Sequence, residues 1–92
     1  MIEVFKTDVG EPKYAEILIE HIQRIFYGYE ANFDLQDCDK ILRVKNVMGE
    51  VNSVRLIEML NRFGFYAEVL PDNEPLEDGV HIGWPAHRLI LN

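Results

Sequence analysis

Tyr29-Glu30-Ala31-Asn32-Phe33-Asp34-Leu35-Gln36, then Asp37-Cys38-Asp39, then Lys40-Ile41-Leu42-Arg43-Val44-Lys45, is the stretch on which the fold turns. Its first part alternates, with Tyr29, Ala31, Phe33 and Leu35 on one face and Glu30, Asn32, Asp34 and Gln36 on the other. That period of two belongs to a half-buried strand. Lys40 to Lys45 reads as a second strand, and a connection as short as Asp37-Cys38-Asp39 obliges the two to pair as an antiparallel hairpin. If Leu42 and Val44 share a core with Phe33 and Leu35, then Leu35 lies opposite Leu42 and Asp34 opposite Arg43. Charge and hydrophobicity thus predict the same register.

On the amino-terminal side, Ile2 to Thr7 is rich in β-formers and predicts a first strand, followed by the loop Asp8-Val9-Gly10-Glu11-Pro12. Pro12 suits a first helical turn, where its missing N–H costs nothing. Ala15, Leu18, Ile19, Ile22, Ile25 and Phe26 then recur at the spacing of one buried helix face, up to Gly28. Tyr14, Ile17 and His21 form a second stripe at the margin of that face. On the carboxyl-terminal side, Asn46 to Gly49 leads to a helix starting near Asn52, which Asn52 or Gly49 can cap, with Leu56, Ile57, Leu60 and Phe63 inward. Gly64 is placed to stop it in the left-handed conformation, with Phe65 folding back on Leu60. Phe65 to Leu70 is the last strand, with Phe65, Ala67 and Val69 facing inward and Tyr66 and Glu68 outward.

Strand, helix, hairpin, helix, strand is the ferredoxin-like order of the α+β class: βαββαβ, a four-stranded antiparallel sheet with two helices on one face and the other face open. Residues 1–70 make that domain. Residues 71–92 form a C-terminal tail, opening with the acidic Asp72-Asn73-Glu74-Pro75 and continuing through alternating Val80, Ile82 and Trp84 to Leu89-Ile90-Leu91. It is too apolar to serve only as a solvating tail and is expected to dock.

Val54 to Leu70, above all Gly64-Phe65-Tyr66-Ala67-Glu68-Val69, closely resembles the second helix and last strand of heavy-metal-associated domains, and the element lengths from Ile2 onward fit. The resemblance implies a soft ion such as Cu(I), held by two cysteines two residues apart in the loop from first strand to first helix. Thr7 to Pro12 contains no sulfur, so that activity transfers to no residue here. Asp8 and Glu11 have the family's spacing, but they are hard oxygen ligands and are read as partners of the helix dipole.

The remaining chemistry is sparse. Ninety-two residues, 48% of them hydrophobic, suffice for one core. No run approaches a membrane span, Met1-Ile2-Glu3 does not begin a secretory signal, and the single Cys38 cannot form an internal disulfide, so the expected location is cytoplasmic. A net charge of -7 with scattered cations argues against nucleic acid. Asp37 and Asp39, two neighbouring negative charges, should make Cys38 a poorer nucleophile. His81 and His87, flanking Trp84 in the tail, lack the i, i+4 geometry of a helical zinc site. There is no phosphate loop or nucleophile elbow, and the arginine that acylphosphatases place in the first loop is missing, so no enzyme, cofactor or metal site is expected.

The expectation is a non-catalytic interaction module of heavy-metal-associated type without the soft-metal site. Its open sheet face or edge would meet a protein partner or a second copy (a homodimer), with Asn32, Asp34, Arg43, Tyr66, Glu68 and Trp84 as the candidate surface. Two alternatives stand beside it. One is a small metal-binding protein using carboxylates, Cys38 or tail histidines; the other is a ligand-binding domain like the ACT domains, which place a Gly or Pro turn at the point that Asp8 to Pro12 faintly resembles.

Overall fold

The computed structural model describes residues 1–71. The elements run β1 (Ile2–Thr7), α1 (Pro12–Ile25), β2 (Tyr29–Asp34), β3 (Ile41–Asn46), α2 (Ser53–Arg62) and β4 (Ala67–Val69). The strands lie in the order β2-β3-β1-β4 with every neighbouring pair antiparallel. The fold is ferredoxin-like. Trp84 and the tail histidines, and with them the expected docking of the tail, lie outside the described residues.

Registers divide the sheet into two faces. Glu3, Phe5 and Thr7 share one with Tyr29, Ala31, Phe33, Leu42, Val44, Asn46, Ala67 and Val69, because these residues sit opposite one another across the ladders. The helices bury their apolar stripes here: Ala15, Leu18 and Ile22 of α1, and Leu56, Met59 and Leu60 of α2, join Phe5, Phe33, Leu42 and Val44 in one cluster. Phe5, Phe33, Leu18, Ile22, Leu42, Leu56 and Leu60 are fully buried, each worth about 1.5–3 kcal/mol relative to exposure.

Local chemistry sets the boundaries of the elements. Pro12 opens α1 without a side-chain cap, whereas Asn52 caps α2 by accepting the Arg55 N–H at 3.2 Å. At the other end of α2, Gly64 takes φ +93°. Its N–H donates to the Asn61 carbonyl at 2.9 Å and the Phe65 N–H to Leu60 at 2.9 Å. That pair of bonds is a Schellman stop, and it brings Phe65 back over the core as the sequence predicted.

Four expectations need correction. Ile25 is 48% exposed: α1 ends there, and Phe26 takes the core-facing position, stacking on Tyr29 with ring centroids 4.8 Å apart. Phe63, expected inward, is 41% exposed at the C-cap of α2, and Asp8, beyond its place before α1, accepts the Tyr66 N–H at 2.8 Å. The final strand is shorter than expected and begins at Ala67, Phe65 being consumed by the Schellman stop.

The fourth correction concerns the hairpin. Asp34 faces Ile41, and Arg43 faces Asn32. The connection runs from Leu35 to Lys40 because carboxylates curl it: Asp34 accepts the Gln36 N–H at 3.3 Å, Asp37 accepts the Asp39 N–H at 2.8 Å, and Lys40 has φ 48°. The slip is by two residues, so every side chain keeps its face. Only the cross-strand partners change.

Candidate functional site

The outer face of the sheet, opposite the helices, is built from cross-strand rows. Val4, Arg43 and Asn32 form the central row across β1, β3 and β2. Ile2, Lys45 and Glu30 lie on one side of it, and Lys6, Ile41 and Asp34, with Glu68 beyond Lys6 on β4, on the other. Both flanking rows thus carry both signs of charge. The central row carries a lone cation, Arg43, between an apolar and an amide neighbour, a consequence of the two-residue slip.

This face was expected to be open, and its centre is not. Val4 is 4% exposed, Ile41 6% and Asn32 8%. Arg43 Nε and Nη1 and Asn32 Oδ1 are buried without a hydrogen-bond partner among the described residues. Buried polar atoms are normally satisfied, so three in one row is the least ordinary feature of the sheet.

Tyr66 and Glu68 do come together, at the β4 edge. The Tyr66 hydroxyl donates to Glu68 Oε1, and this bond, with the carboxylate's charge behind it, raises the phenol's pKa above its usual value. Losing the proton would break the bond and set two anions side by side. Of the sequence candidates, then, Asn32 and Arg43 are adjacent, Asp34 lies one row away, and Tyr66 with Glu68 forms a separate edge pair.

At the hairpin tip, ligand atoms of Asp37, Cys38 and Asp39 lie within 4.8 Å of one another. Both carboxylates have other work: Asp37 holds the Asp39 N–H at 2.8 Å, and Asp39 lies 3.8 Å from Lys6 Nζ. Cys38 is exposed.

The helix side carries a feature that the sequence only hinted at. Tyr14, Ile17, Leu18, Phe63 and Phe65 line an apolar groove, of which Tyr14, Ile17 and Phe63 are 40%, 49% and 41% exposed. Tilted Tyr14–Phe65 and edge-on His21–Phe63 pairs, with centroids 5.8 and 5.0 Å apart, join α1 to the end of α2. A neighbouring hollow is lined by His21, Ile25, Arg55, Glu58, Arg62 and Phe63, among others. The stripe Tyr14-Ile17-His21 was its sequence signal; Phe63 meets it from the C-cap of α2, and Phe65 because the Schellman stop turns it there. The helices carry Lys13, Arg24, Arg55 and Arg62 against Glu16, Glu20 and Glu58, near charge balance in a chain of net charge -7.

No helix among the described residues is long and apolar enough to cross a membrane. Compared with protein-family profiles, curated proteins and solved structures, the chain matches none.

Proposed function

We propose that the chain is a non-catalytic interaction module, a heavy-metal-associated-like domain without the soft-metal site, which holds an apolar protein segment in its helix-side groove. The exposed apolar groove of Tyr14, Ile17, Phe63 and Phe65 carries this reading. Aromatic and aliphatic side chains, pre-arranged by ring contacts, are the composition of an interface centre. The likeness to heavy-metal-associated domains rests on Val54 to Leu70 and the shared element order, and the loop Thr7 to Pro12 offers no thiolate. The partner surface thereby moves from the sheet, where it was expected, to the helices.

The test compares affinity capture on the full chain with capture on its Ile17→Asp variant, both verified as folded by circular dichroism. A captured protein should lose about 2 kcal/mol or more of binding free energy, roughly 30-fold in affinity, if Ile17 is central to the contact. Self-association lost with Ile17→Asp would identify the partner as a second copy. Undiminished capture by the variant overturns the reading.

A second reading rests on the Asp37, Cys38 and Asp39 ligand atoms. Calorimetric titration with divalent metals separates the two: stoichiometric heat abolished by Cys38→Ser would favour a metal-binding protein.

A further inference from the structure

The central outer row poses a question that residues 1–71 do not answer. Val4, Ile41 and Asn32 are more than nine-tenths buried, yet both described helices bury their apolar stripes on the opposite face of the sheet. Arg43 Nε and Nη1 point two donors into this covered surface, and Asn32 Oδ1 adds an acceptor beside them. Arg43 is half-buried, and a guanidinium with two of its three nitrogens withdrawn from water favours an anion beside it. A donor–acceptor pair set side by side suits an extended backbone.

We propose that residues 72–92 of the same chain lie across this outer face, a carboxylate of the segment receiving Arg43, a backbone N–H meeting Asn32 Oδ1, and the apolar residues covering Val4 and Ile41. Three observations select this occupant. The first is connectivity: the Leu70 N–H donates to the Val4 carbonyl at 2.8 Å, so the chain leaves the sheet beside the row in question. The second is reach. Arg43 lies two strand spacings from β4, roughly 10 Å, a distance that about three extended residues span, and Asp72 and Glu74 follow Pro71. The third is complementarity, for Asp72, Glu74, Glu77 and Asp78 precede the alternating Val80, Ile82 and Trp84, anions first and apolar surface after. Tethering at the sheet edge also favours this segment over the same sequence from another molecule.

Trp84 is the chain's single tryptophan and reports on the segment directly. In the native full chain its emission should be blue-shifted, and its quenching by acrylamide several-fold weaker than in urea, independent of protein concentration. Arg43→Met should raise the quenching several-fold with far-UV dichroism unchanged, while Asp34→Asn, one row away, should leave it alone. A double Glu74→Lys, Glu77→Lys variant alters only the segment and should likewise release Trp84. Full quenching of the native chain would overturn the proposal. So would protection that disappears on dilution, which would mean a second copy, and so would protection that survives both Arg43→Met and the double lysine variant. None of these outcomes depends on the helix-side groove, so this inference and the proposed function fail separately.

Discussion

Replacing Thr7 by valine should destabilise the domain more than replacing it by serine, against the order that strand propensity would suggest. Thr7 ends β1 and is 4% exposed. Its hydroxyl donates to the Lys40 carbonyl at 2.7 Å and accepts the buried Val9 N–H at 3.1 Å, while its own N–H donates to the Asp39 carbonyl at 3.1 Å. One side chain thus ties the strand end to the hairpin connection and to the loop before α1. Valine matches threonine in volume and has at least its strand propensity, but it leaves a buried N–H and a half-buried carbonyl unsatisfied. At about 1–3 kcal/mol per orphaned group, Thr7→Val should cost roughly 2–4 kcal/mol. For a domain of this size that lowers Tm by roughly 10–30 °C. Serine keeps the hydroxyl and loses one methyl, about 1 kcal/mol. Thermal and urea melts followed by far-UV dichroism give the order, with an unchanged urea slope confirming that the unfolded state is comparable. A Thr7→Val protein that melts at or above Thr7→Ser would refute the reasoning, showing that the methyl and not the hydroxyl holds this corner.

Two further outcomes are expected. The Tyr66 phenol should titrate above the ordinary tyrosine range, because ionisation breaks its bond to Glu68 and opposes a second negative charge. Glu68→Gln should therefore lower its pKa, as followed by NMR of ring-labelled tyrosine assigned with Tyr66→Phe, and a rise or no change would show that the pair does not form in solution. Gly28 and Gly64 have φ +84° and +93°, but a Cβ at Gly28 would lie 2.6 Å from Met48 Cγ, whereas at Gly64 it would meet nothing within 4 Å. Alanine at either should cost about 1–2 kcal/mol for the left-handed backbone, with more at Gly28, and adding Met48→Ala to Gly28→Ala should bring the two costs together in urea midpoints.

Much of this protein is local information, and the sequence carries it alone. The alternation through Tyr29 to Phe33, the three- and four-residue recurrence of Ala15, Leu18 and Ile22, and the Phe63-Gly64-Phe65 stop each depend on neighbours in the chain, so the element order and the ferredoxin-like class were legible without coordinates. The two faces of β2 and β3 were legible for the same reason, because side-chain parity survives a two-residue slip. What depends on packing between distant segments was not. Carboxylates at Asp34 and Asp37 curl the hairpin connection, and this decided that Arg43 faces Asn32 and not Asp34. Thr7 and Asp8 looked like an ordinary strand end and a helix-start anion until the chain brought Lys40 and Tyr66 beside them. Likewise, the helix-side groove joins Tyr14 and Ile17 to Phe63 and Phe65 across a gap in sequence that no periodicity spans. Patterning determined which face of each strand turns inward, since that follows from strand geometry; tertiary structure decided where the helix faces end, at Ile25 and Phe63, which polar groups meet, and which, at Arg43 and Asn32, are buried with no partner within residues 1–71.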